Sequence, residues 1–129
     1  NWTYPLIQPK LIEKYLRVKN NSIIGATVTV TVDRPLGSYH PEYKDMYYPI
    51  NYGYIEGVMA PDGEEQDAYI LGVNEPVGKF TGKIIAIVHR KDDVEEKWVV
   101  VPAGMMFSKD EIRQQIYFQE QYFDSEIVM

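Results

Sequence analysis

Five short runs of β-branched and aromatic residues, each cut off by turn-forming residues, constrain this chain more than anything else in it. From Ala26 to Val32 the alternation is strict. Val28, Val30 and Val32 fall on one face and Thr27, Thr29 and Thr31 on the other, the period-two pattern of a half-buried strand. Tyr47 to Ile55 reads as a second strand, aromatic at Tyr48, Tyr52 and Tyr54, and leads to the turn Pro61-Asp62-Gly63. Ala68 to Val73 and Lys83 to His89 are apolar and bounded by glycine or proline. Trp98 to Val101 follows the charged turn Lys91 to Lys97. Pro35, Gly37 and Pro41 make residues 34–45 a loop. Five short strands joined by turns predict a mainly β fold, a small barrel or a sandwich.

Helices are expected at the two ends. Ser108 with Glu111 three residues on is a capping box, Asp110 adds favourable charge to the first turn, and Ile112, Ile116 and Phe123 with Tyr117 form an apolar face. Near the start, Pro9 suits a first helical position, and Leu11, Ile12, Tyr15 and Leu16 form a stripe that Asn20-Asn21-Ser22 breaks. No repeat and no linker composition interrupts the chain. The expected organisation is a helical extension over residues 1–22 and one barrel domain over residues 23–129.

The charge balance narrows the function. A net charge of −6 argues against nucleic acid, which needs a basic patch to displace counterions. It would also repel free polyphosphate unless a bound metal reverses the local field. With no cysteine, disulfide scaffolds, zinc–thiolate sites and thiol catalysis are excluded, which fits a cytoplasmic protein. No apolar run approaches the ~20 residues of a membrane span, and no basic segment followed by an apolar one opens the chain. Serine-hydrolase, Walker-type and dinucleotide motifs are missing too.

The chemistry gathers in acidic turns. Asp62, Glu64, Glu65 and Asp67 put four carboxylates within six residues. Such a cluster repels itself unless a cation joins it, and hard divalent ions prefer oxygen ligands. A calcium loop counted from Asp62 fails, because its sixth and twelfth positions hold Asp67 and Val73. A solvated acidic turn is the plain alternative. A second cluster, Asp92, Asp93, Glu95 and Glu96, precedes Lys97. Alone it reads as a solvated hairpin turn. Across a sheet from the first it would complete a multi-metal site, with Lys97 as a point charge for phosphate. Two such metals hold a bridging water for in-line attack on phosphorus. His40 lies in a Pro/Gly loop within reach of an anion, and His89 ends an apolar strand, a structural position.

Together these residues resemble a known family. Tyr48-Pro49-Ile50-Asn51-Tyr52-Gly53-Tyr54-Ile55, then Asp62-Gly63 with Asp67, then Glu95 two before Lys97, then Tyr117-Phe118-Gln119-Glu120-Gln121-Tyr122 are similar in order and spacing to soluble family I inorganic pyrophosphatases. The resemblance runs from about Val28 to Asp124. It implies an OB-like closed barrel of five strands with a C-terminal helix. It also implies metal-dependent hydrolysis of inorganic pyrophosphate to orthophosphate by a metal-activated water, with Mg²⁺ as cofactor (Mn²⁺ as substitute). The implied partners are a small-molecule phosphate substrate and further copies of the chain, with neither nucleic acid nor membrane.

Carried over position by position, the resemblance makes Asp62, Asp67 and Glu95 metal ligands, with Asp92 a substitute ligand in a shortened turn. Glu64 takes the place of the group that orients the attacking water, and Tyr52 and Asp67 complete the catalytic set. Lys97, Tyr122 and Tyr48 fall on phosphate-binding positions, and Arg34, His40 and Arg90 are candidate cations for the substrate. The departures are equally specific. Glu64 replaces an aspartate, and Arg90 stands seven residues before Lys97, where another metal aspartate belongs. Phe123 replaces a phosphate-binding lysine. The loop Arg34 to Pro41 replaces a longer hairpin that carries a lysine, a glutamate and an arginine. The metal side keeps its chemical type while the phosphate clamp is rebuilt. Slow pyrophosphate hydrolysis, action on another phosphoanhydride, or binding of a phosphorylated metabolite without turnover are the expectations.

Overall fold

A computed structural model describes residues 23–91 and 95–129. The helix expected over residues 1–22, and Asp92 with Asp93, lie outside the described residues. Along these run β1 (Thr27–Arg34), β2 (Asn51–Met59), β3 (Glu65–Ile70), β4 (Lys79–Arg90), β5 (Glu96–Val101), α1 (Lys109–Glu120) and β6 (Ser125–Val128). The strands pair in the order β1-β2-β3-β5-β4-β6, and β1 also pairs with β4. That last pairing closes β1 to β5 into a barrel, the mainly β, OB-like architecture expected from the sequence. The pairings are antiparallel except between β3 and β5, which run parallel. The four-residue β6, not foreseen from the sequence, adds to the far end of β4 with Ile127 opposite Val88.

Strand alternation sorts the apolar residues into two cores. One draws on all five barrel strands: Val30, Ile55, Ala68, Ile70, Ile84, Ile87, Trp98 and Val100 fill the interior. The intervening residues Tyr69, Val99 and Val101 point outward and pack with Tyr52, Val88 and Ile127 beneath α1. A register shift between Ile84 and Ala86 explains why β4 sends Ile84 and Ile87, three apart, into the same interior. β3 and β5 are therefore covered on both sides, and their sequences run apolar without strong alternation. Each fully buried aliphatic or aromatic side chain contributes about 1.5–3 kcal/mol.

The helix starts as read. Ser108 Oγ accepts the Glu111 N–H at 3.1 Å, and the Glu111 carboxylate accepts the Ser108 N–H at 2.7 Å. Its inward face differs from the expectation. Ile112 and Ile116 are buried, but Tyr117 is 58% exposed and Phe123 lies beyond the helix end. The buried stripe continues instead through Gln119 and Glu120, seven and eight residues after Ile112, as the helical repeat requires.

Two local features aim the strands at one end of the barrel. Gly53 pairs with Val32, and a Cβ there would stand 2.0 Å from the Thr31 carbonyl oxygen, so only glycine lets β1 approach. Immediately after, the register shifts between Val32 and Arg34, which sets Arg34 opposite Tyr52. Residues directly opposite share a face. The shift thereby turns Arg34 away from the interior that Val30 fills and toward the outer layer under α1.

Candidate functional site

The parallel register of β3 and β5 builds the centre of the site. Ala68 lies opposite Trp98 and Tyr69 opposite Val99, so Asp67 and Lys97, one step earlier on each strand, share a face. Lys97 Nζ donates to Asp67 Oδ2 at 2.6 Å and to the carboxylate of Glu95, two residues back on its own strand. The lysine side chain is only 4% exposed. Burial pulls its pKa down, but Tyr52, Asp67 and Glu95 outweigh that and hold it well above its ordinary value, so the ammonium stays charged. The Tyr52 ring lies 5.6 Å from that ammonium. Burial drives the Tyr52 phenol far above its usual range, against the opposing pull of Lys97, so the hydroxyl remains a neutral donor.

Arg90, the last residue of β4, is gripped from three sides. Nε and Nη2 donate to the two oxygens of Glu120 at 3.1 and 2.7 Å, and Nη1 donates to Glu95 at 3.0 Å. Its guanidinium carbon sits 3.6 Å from the Phe123 ring centroid. Glu120 accepts further bonds from Ser125 Oγ at 2.6 Å and from the Tyr69 hydroxyl. Burial would favour its protonated form, but Arg90, Ser125 and Tyr69 prevail and lower its pKa.

Arg34 completes the ring of contacts. Its Nη1 donates to the Tyr48 hydroxyl at 2.8 Å, which donates to Gln119 Oε1 at 2.9 Å, and Gln119 Nε2 donates to the Tyr69 hydroxyl at 2.8 Å. An unbroken polar chain thus runs from Arg34 through Tyr48, Gln119, Tyr69, Glu120, Arg90, Glu95 and Lys97 to Asp67. Low dielectric strengthens such a network, and its members hold one another in place. Lys97 and Arg90 are matched by Asp67, Glu95 and Glu120. Among the described residues Arg34 has no carboxylate at ion-pair distance.

A cleft of about 670 Å³ opens over this network. Arg34, Tyr52, Asp67, Arg90 and Lys97 form one wall. His40, Tyr43, Asp45 and Met46 from the β1–β2 loop and Tyr122 from beyond α1 complete the lining, with Phe123 packed on Arg90. His40 Nδ1 accepts the N–H groups of Glu42 and Tyr43 at 3.0 and 3.1 Å, which ties the loop. Burial and the nearby Arg34 lower the pKa of its imidazole.

Of the residues singled out in the sequence, Tyr52, Asp67, Lys97, Tyr122, Arg34, His40 and Arg90 line this one cleft, and Glu95 is bonded to two of them. Three stand elsewhere. Asp62 and Glu64 occupy the exposed β2–β3 turn, where Asp62 Oδ1 accepts the Glu64 N–H at 3.0 Å and Gly63 adopts φ +87°. Tyr48 is fully buried and serves as a link beneath Arg34. Gln119, Tyr69 and Glu120 were not foreseen. Their signal was the polar pair placed where the Ile112–Ile116 stripe must continue.

Asp67 and Glu95, two of the three expected metal ligands, face one protein cation, while Asp62 lies in the exposed turn. That cation is the Lys97 ammonium, and Glu95 also serves Arg90. Among the described residues no three acidic or histidine side chains are arranged to hold a metal ion. Physically, a unit charge about 4 Å from another interacts by about 4 kcal/mol near a protein surface. A dication beside these groups meets the repulsion of Lys97 as well as the attraction of Asp67 and Glu95, so the lysine offsets part of what the carboxylates would offer it.

Comparison with known proteins follows the same line. A family model described as inorganic pyrophosphatase matches residues 18–121. An inorganic pyrophosphatase of Halalkalibacterium halodurans is 28% identical over 103 residues, covering 74% of this chain and 61% of that protein. The chain thus spans less than two thirds of that relative's length. Among solved structures, an inorganic pyrophosphatase from Ehrlichia chaffeensis superposes with a TM-score of 0.60 at 18% identity, over 80% of this chain and 85% of that one. One from Neisseria gonorrhoeae gives 0.56 at 22% identity, over 79% and 80%. Among the described residues no helix is long and apolar enough to cross a membrane.

Proposed function

The chain belongs to the inorganic pyrophosphatase family, and from that premise we propose that its cleft binds inorganic pyrophosphate and hydrolyses it slowly to two orthophosphates. One observation carries the reading: Arg34, Lys97 and Arg90, with the neutral Tyr52 hydroxyl, converge on one cleft of a pyrophosphatase-family barrel. Among the described residues Arg34 has no carboxylate at ion-pair distance, and it takes one phosphoryl group. Lys97 donates to Asp67 and Glu95 and stays charged, so it acts on the second phosphoryl group as a point charge.

In the hydrolysis, a water oxygen bonds to one phosphorus as the bridging P–O bond breaks, and the bridging oxygen leaves with the second phosphate. Asp67 is the carboxylate beside the cationic wall and accepts a hydrogen bond from that water. One of its oxygens is already committed to Lys97 at 2.6 Å, which leaves the other for that water. The family reading brings Mg²⁺ or Mn²⁺ as cofactor. The described residues fit it poorly, since Asp67 and Glu95 are committed to Lys97 and Arg90 and Asp62 lies in the exposed turn. No step is assigned to a metal ion.

A second reading is binding without turnover. Arg90 favours it, standing bonded to Glu95 and Glu120 and stacked on Phe123 where an acidic residue was expected. Calorimetry with pyrophosphate in chelator, then in magnesium or manganese, combined with phosphate release, separates the two. Binding with slow release supports hydrolysis, binding alone supports the second reading, and no binding in any condition removes both. A single barrel domain over residues 23–129 with an extension over 1–22, a homo-oligomeric state and a cytoplasmic location belong to the same proposal. Sedimentation tests the oligomer.

A further inference from the structure

The cleft is larger and more divided than an inorganic anion requires. At about 670 Å³ it falls among the clefts of roughly 300–1,000 Å³ that take small organic ligands, whereas pyrophosphate is only two linked phosphoryl groups. Its cations come from the strands. Tyr43 and Tyr122, which also line it, are 66% and 67% exposed, while Phe123 is stacked on Arg90. Large aromatic side chains left this open in a concave site are available for burial by a ligand.

The aromatic wall is also held in place. The His40 ring lies 4.9 Å from the Tyr43 ring, and its Nδ1 accepts the Tyr43 N–H. The Met46 N–H donates to the Tyr43 carbonyl at 2.9 Å, and the His40 N–H donates to the Met46 carbonyl at 2.9 Å. Asp45, lining the same wall, offers an acceptor to hydroxyl or amino groups. A preset aromatic side chain stacks on a nucleobase at little ordering cost.

Resting on the phosphate-binding reading above, we infer that the preferred ligand is a nucleoside diphosphate. The phosphoanhydride lies against Arg34 and Lys97, and the base lies against Tyr43 and Tyr122. This ligand class is the one whose anionic and planar ends match the two walls. Inorganic pyrophosphate binds the same cationic wall without using the aromatic one.

The test is calorimetric titration of the full chain with ADP, pyrophosphate and adenosine, in chelator and in magnesium. ADP is expected to bind about tenfold tighter than pyrophosphate, the worth of one stacked base. Tyr43→Ala, at an exposed position, should abolish that preference and leave pyrophosphate affinity unchanged. Pyrophosphate binding as tightly as ADP overturns this inference and leaves the phosphate reading standing. Failure of both to bind overturns the phosphate reading itself. If Tyr43→Ala dissociates an oligomer without altering ADP affinity, the aromatic wall is a subunit interface and the inference fails.

Discussion

Lys97 and Asp67 form an ion pair of 2.6 Å across the parallel β3–β5 pairing, in the place where the sequence led one to expect a metal ion between carboxylates. That contact, with the matching pair Arg90–Glu120 at 2.7 Å, makes the acidic side of the site electrically satisfied by the protein's own cations.

Removing the internal cation should restore an appetite for a metal. Lys97→Met leaves Asp67 without its cation and Glu95 with Arg90 alone, and a divalent ion is suited to replace the lost charge. Manganese affinity measured by calorimetry should rise at least about tenfold, equivalent to about 1.4 kcal/mol, while pyrophosphate affinity falls. Unchanged manganese affinity would show that Lys97 is not what keeps the metal out.

On the proposed reading Arg34 is the anion's main cation, its protein contacts being the bond to Tyr48 and the Tyr48 and Tyr52 rings. Arg34→Ala should weaken pyrophosphate binding by about tenfold or more with a small change in thermal midpoint, and Arg34→Lys should recover part of the loss. Equal binding by wild type and Arg34→Ala contradicts the assignment of Arg34 to phosphate.

Glu120 ties acid stability to the site. Its pKa is lowered from the ordinary value of 4.5, so its stabilising effect is complete above that pH and fades as pH falls through the lowered value. Asp33, whose pKa is raised by burial, acts in the opposite sense, so the comparison must be with a Glu120 variant. Glu120→Gln should cost about 3 kcal/mol at pH 7, because it leaves the buried Arg90 charge with Glu95 alone. The gap between the two proteins should narrow below pH 4.5 in denaturant melts. A gap independent of pH contradicts the ionised pair.

Gly53 fixes the β1–β2 approach. With a Cβ 2.0 Å from a backbone oxygen, Gly53→Ala should lose about 3 kcal/mol or fail to fold, read as a fall in the urea midpoint. A wild-type midpoint would mean that β1 can move aside.

How much of this was legible depends on how local each feature is. Val28, Val30 and Val32 announce β1 because alternation is written into consecutive residues, and Ser108 with Glu111 announces the helix start for the same reason. β6 was hidden, since Ser125–Val128 is short, carries a serine and a glutamate, and pairs only because β4 presents an edge there. In the site, local acid density drew attention to Asp62 and Glu64, which the fold leaves in solvent, an outcome a charged turn commonly has. The decisive neighbours lie thirty residues apart, Asp67 with Lys97 and Arg90 with Glu120, and strand register or helix docking alone brings them together. Tyr48 shows the same limit. Its place in the tyrosine block marked it for the site, but only the packed structure reveals that it bears on Arg34 from below.

The central claim is that the cleft holds pyrophosphate with cations the protein itself supplies. Titration of the wild-type chain with pyrophosphate in chelator tests it most directly. Saturable binding at one site per chain, lost in Arg34→Ala, is the result predicted. Binding that appears only when magnesium or manganese is added would contradict it.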